Sequence, residues 1–145
     1  MRKIFLSAIS LICFFTLLIM SDLLNAQERK GCYLCGMFLD VYASTRHVVI
    51  YEDDTQKETC SLACAATLYK NRTKEIKMIL ASDFLSHKLI NTKKAFYIEG
   101  SDVPGVMSYT NRIAFENKKD ALEFQKKRGG KIISFQEALD NQLKE

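Results

Sequence analysis

Two close pairs of cysteines, Cys32-x2-Cys35 and Cys60-x3-Cys64, are the residues of this chain best placed to do chemistry. A spacing of two or three residues lets both thiols of a pair turn toward one point, from a tight loop or from the first turn of a helix. Four such thiols allow a tetrahedral metal site, structural disulfides, or a redox dithiol at Cys32 and Cys35, and spacing alone leaves these alternatives open. Met37 follows Cys35 by two residues, and Met107 stands beside the Pro104-Gly105 turn, a loop setting and not a packed helix stripe. Thiolate and thioether are soft ligands suited to Cu(I), whereas zinc takes thiolate and imidazole, although a methionine can equally be plain packing. Cys64, three residues after a helix cap at Ser61, is expected to meet unpaired backbone N–H groups and to be the better thiolate. His47 is expected at a strand edge and His87 on the surface; no serine sits in a nucleophile-elbow context that would make a Ser-His-Asp hydrolase.

Positioning these sulfurs requires a hairpin. His47 to Tyr51 is rich in β-branched residues and ends at Glu52-Asp53-Asp54, so it predicts a strand and turn, with a return strand from Gln56 to Thr59. Leu62, Ala65, Ala66 and Tyr69 then fall on one face of a helix of about ten residues. Further strands are predicted over 75–80, 95–98, 111–115 and 131–135, with an irregular connection over 82–94. Asn117 and Asp120 signal the start of a helix whose Ala121, Leu122 and Phe124 face inward and which stops at Gly129-Gly130. A short C-terminal helix closes the chain. The order strand, strand, helix, strand occurs twice, which suggests two related ββα(β)-type halves. The expected class is α+β, a largely antiparallel sheet with helices packed on it.

Arg2 and Lys3 precede an apolar run from Ile4 to Met20, and Ala26 closes a more polar stretch, so residues 1–26 read as an export signal or an uncleaved N-terminal anchor. Cys13 lies inside this run and has no lipidation context. Residues 27–145 then form one domain, roughly 120 residues that bury about two-thirds of their unfolded surface. A net charge of +4 on 145 residues does not argue for nucleic acid, and Lys126-Lys127-Arg128 reads as a solvated helix end. The expected location is periplasmic or otherwise extracytoplasmic, with membrane association through residues 4–20 if the leader is retained.

Three blocks together resemble NosL, the nitrous oxide reductase accessory family: Cys35-Gly36-Met37, the run from Ala95 through Gly105 to Met107, and Ala121-Leu122-Glu123-Phe124 leading to Gly129-Gly130-Lys131. The likeness spans most of residues 32 to 139. It implies two related ββα-type halves, similar to organomercurial lyase, and a non-enzymatic, exported Cu(I) metallochaperone that takes copper from a donor and supplies it to nitrous oxide reductase or a related enzyme. Carried over by motif, Cys35 and Met107 become the first ligand candidates and Met37 the next; Cys32, Cys64 and Cys60 complete the candidate set. Tyr33 and Leu34 stand where some members carry a histidine, and Cys60 and Cys64 are additional to the family pattern. Two other functions fit the thiols: a thiol-disulfide oxidoreductase using Cys32 and Cys35, and a binding module stapled by structural zinc or disulfides.

Overall fold

The computed structural model describes residues 29–145, so the expected export signal or anchor over residues 1–26 lies outside the described residues. Among the described residues, seven strands and three helices follow in the order β1 (His47–Tyr51), β2 (Gln56–Thr59), α1 (Leu62–Lys70), β3 (Ile76–Ser82), β4 (Leu89–Asn91), β5 (Phe96–Glu99), β6 (Arg112–Phe115), α2 (Lys118–Arg128), β7 (Lys131–Ile133) and α3 (Phe135–Gln142). The antiparallel structure is divided into two sheets, with strand orders β2-β1-β3-β4 and β6-β5-β7. In each half the first strand is central and pairs antiparallel with the second and third strands, so the halves share one topology. The mixed α+β class and the doubled ββαβ unit expected from the sequence are the architecture observed.

Local chemistry accounts for most boundaries. Asp53 Oδ1 accepts from the Thr55 N–H at 3.1 Å, and Asp54 takes a φ of 60°, which closes the β1–β2 turn. Helix α2 stops where Gly129, at φ 73°, donates its N–H to Gln125 O at 2.9 Å. At α3 the Ser134 hydroxyl accepts from the Glu137 N–H at 3.2 Å. That cap ends β7 at Ile133, short of the expected Phe135.

Other expectations shift. The stretch 82–94, expected to be irregular, contains β4, which pairs with β3 through Leu80↔Asn91 and Ala81↔Ile90, and a 3-10 turn at Thr92–Lys94. Leu122 is 40% exposed, because only Ala121 of α2 is fully buried and Phe124 packs at its margin. His47 is not at an edge. It heads the central strand β1 and is 1% exposed, with neighbouring strands on each side.

The halves meet along small residues. Ala66 of α1, Ala81 of β3, Ala114 of β6 and Ala138 of α3 are buried around Tyr97, Leu62 and Leu139 in a common core. Alanines let the two sheets and their helices approach closely while the larger side chains fill the space between. His47 crosses this seam: its Nδ1–H donates to Thr45 O and its Nε2 accepts from the Tyr97 hydroxyl, both at 2.9 Å. The seam carries α1 and the loop before β6 to the same side of the molecule, where the thiols lie.

Candidate metal centre

The loop before β1 is pinched shut by its own backbone. Cys32 N–H donates to Met37 O at 2.8 Å, Gly36 N–H donates to Cys32 O at 2.9 Å, and Gly31 bridges Phe38. Gly36 holds φ 77°, a left-handed value that any other residue adopts only under strain. The Tyr33 N–H donates to Glu58 O at 2.9 Å, fastening this loop to β2 just before Cys60. Because Thr59 is paired with His47 in the hairpin, Cys60 emerges beside the loop, and α1 begins at once and turns Cys64 toward it. Thr45 Oγ donates to Cys60 O at 2.7 Å and fixes the backbone there.

The result is a sulfur cluster. The Sγ atoms of Cys32, Cys35, Cys60 and Cys64 all lie within 4.8 Å of one another. Cys35 and Cys60 are 3.5 Å apart and Cys60 and Cys64 3.7 Å, and all four cysteines are free thiols. An ion bound tetrahedrally at about 2.3 Å from each sulfur needs sulfurs about 3.8 Å apart. The cluster therefore has the dimensions of a single four-coordinate soft site with little further movement. Leu39 is buried in it, and Met37, Tyr42 and Val106 pack around it.

Its electrostatics differ from the sequence expectation. Cys60, not Cys64, is the acidic thiol: its hydrogen bond with Cys64, aided by Cys35 and Ser61, lowers it to about 5 against the opposing effect of burial. Cys64 is raised, because it serves as the proton donor to Cys60, is itself buried, and faces the charge on Cys60. The Ser61 side chain makes no capping hydrogen bond, so the helix start is plainer than expected. Burial raises Cys35 as well.

Met37 is half-buried against the thiols. Met107 is not among the side chains packed on them; its neighbour Val106 is. Met107 is 56% exposed at φ 57°, in a turn so tight that a Cβ on Gly105 would lie 2.2 Å from Ser108 O. Met107 and Cys64 nevertheless line one cavity of ≈ 440 Å³, together with Leu34, Thr67, Tyr109 and Glu145. The exposed loop methionine thus lines the same open space as Cys64 of the cluster. His47 takes no part in the site, and His87 is exposed. Thr45 and Tyr42, which support the cluster, carried no motif and were invisible before the turn over residues 39–46 was seen folded against Cys60.

Fold and site define a small protein of two ββαβ halves with a preformed soft-ligand pocket on one of them. The chain matches the NosL family over residues 24–143 and belongs to it. It is similar to the crystal structure of the copper chaperone NosL from Shewanella denitrificans, with 25% identity and a TM-score of 0.61 over 78% of this chain and 94% of that one. A curated relative is the HTH-type transcriptional repressor CutR of Bacillus subtilis (strain 168), 24% identical over 119 residues. That match takes in 82% of this chain but only 62% of the repressor's length. Among the described residues no helix is long and apolar enough to cross a membrane.

Proposed function

We propose that this chain is a Cu(I)-binding metallochaperone, exported under the direction of residues 1–26, that takes copper from a donor and passes it to a copper enzyme under assembly, nitrous oxide reductase or a related one. The observation that carries the reading is the convergence of four free thiols within 4.8 Å beside the Met37 thioether. Family membership and the likeness to a copper chaperone support it. Soft sulfur donors select Cu(I), and a site in which Cys35 stays partly accessible favours transfer by ligand exchange over permanent storage. In this reading Cys32, Cys35, Cys60 and Cys64 hold the ion, Met37 shields it, and Met107 offers a thioether in the cavity through which the ion is handed on.

Four thiols at tetrahedral spacing also suit a closed zinc site, which would make the cluster a structural staple. Anaerobic titration of the reduced protein with Cu(I) against a coloured chelator, followed by sulfur-sensitive X-ray absorption, separates the two. Tight Cu(I) binding lost in Cys35→Ser and Cys60→Ser, with slower transfer in Met107→Leu, supports the chaperone. Stoichiometric zinc that Cu(I) fails to displace refutes it.

A further inference from the structure

Within the sulfur cluster, access to solvent is unequal. Cys32, Cys60 and Cys64 are 4%, 0% and 2% exposed, whereas Cys35 is only partly buried. An external disulfide reacts through a collinear approach of sulfurs, so it can meet only a thiol it can reach, and that thiol is Cys35. The closest hydrogen-bonded sulfur partner of Cys35 is not Cys32 of its own Cys-x2-Cys motif but Cys60, at 3.5 Å. Closing that gap to a bond of about 2.05 Å needs an approach of about 1.5 Å, within the range of side-chain rotation where a loop faces a strand-to-helix junction.

We propose that Cys35 and Cys60 are a reversible oxidation site, the pair that disulfide-bearing oxidants close, and that Cys-x2-Cys is not the redox couple of this chain. In the first step Cys35 gives up its proton and its sulfur attacks one sulfur of the external disulfide. A mixed disulfide forms at Cys35 and the other half leaves as a thiolate. The Cys60 sulfur then attacks Cys35 Sγ, the Cys35–Cys60 bond forms, and the second half leaves. The external disulfide gains the two electrons that Cys35 and Cys60 lose; one released thiolate takes the proton given up by Cys35 and the other takes one from solvent. The bond joins the loop before β1 to the start of α1 and withdraws two of the four sulfurs from the pocket. The pairing does not rest on the copper reading, and it is tested on metal-free protein.

Tryptic cleavage separates the outcomes, because Cys32 and Cys35 share the peptide 31–46, Cys60 and Cys64 share 58–70, and Cys13 lies apart on 4–29. The reduced full-length chain is treated anaerobically with one equivalent of oxidised glutathione, alkylated, digested and mapped by mass spectrometry. The expected main product joins 31–46 to 58–70 with the loss of two hydrogens, Cys32 and Cys64 alkylated, and fragment ions placing the bond at Cys35 and Cys60. Cys32→Ser keeps this cross-link and Cys35→Ser abolishes it. A main product with the bond inside 31–46 or inside 58–70, or a glutathione adduct that stays on Cys35, overturns the proposal.

Discussion

Acid should weaken this fold through one histidine. His47 is fully buried, and desolvation, only partly opposed by its bond to Thr45 O, lowers its pKa from 6.5 to about 4. Its ring is therefore held neutral, with Nδ1 carrying the proton toward Thr45 O and Nε2 accepting from Tyr97. Between pH 6.5 and 4 the unfolded chain binds a proton at this residue that the folded chain refuses, so stability rises with pH across the window and is lost on descending it. Working the two binding curves through gives a loss, relative to pH 7, of about 2 kcal/mol by pH 5 and about 3 kcal/mol by pH 4. The assay is urea unfolding of the metal-free protein at several pH values, beside His47→Gln. Cys60, lowered to about 5, adds its own pH dependence, but it does so in both proteins and cancels in the difference. The variant should start less stable, since the Tyr97 hydroxyl loses its imidazole partner, yet its curve should be flatter than the parent's by about 2 kcal/mol at pH 5. If both proteins lose stability in parallel as the pH falls, the buried neutral imidazole is not what the fold protects.

Other perturbations address the scaffold and the site. Arg112 is 8% exposed and donates to Glu99 at 2.6 Å, Gln142 at 2.8 Å and Glu145 at 3.0 Å; Arg112→Met leaves both carboxylates without their cation and should cost about 3 kcal/mol in urea unfolding, whereas a loss under about 1 kcal/mol would show that water replaces it freely. Gly36→Ala meets no atom within 4 Å, so its whole effect is backbone strain at φ 77°, a loss of about 1 kcal/mol in urea unfolding with Cu(I) affinity little changed, because the free and bound folds share the strain; unchanged stability would disprove the strain argument. Because Cys35 and Cys64 hold their protons above the usual thiol range, binding Cu(I) must release them, and the apparent affinity should fall about tenfold per unit of pH between 8 and 6 for each proton released. A chelator titration showing the same affinity at both ends of that range would mean that those two thiols are not ligands.

Much of the architecture could be read from residue order because its signals are local. The β-branched run at His47 to Tyr51, the acidic turn after it, the glycine stop at Gly129 and the alternation of strands and helices depend on neighbours a few residues apart. Soft-ligand chemistry was equally legible, since thiols at two- and three-residue spacing and nearby methionines are properties of the string itself. Beyond that the string was silent or misleading. A helix-start argument pointed to Cys64 as the thiolate, but Cys60 lies within hydrogen-bonding distance of both Cys35 and Cys64, and those two contacts, which local sequence does not reveal, lower Cys60. Strand position likewise depends on pairing partners far along the chain, so His47 looked like an edge residue until β3 was seen on its other side. The sequence by itself determined the kinds of donor atom and the doubled ββαβ order. Only the tertiary structure decided that four sulfurs converge, that Met107 lines one cavity with Cys64, and that Cys35 faces Cys60, because those distances are set by long-range packing across the hairpin and the seam between the halves.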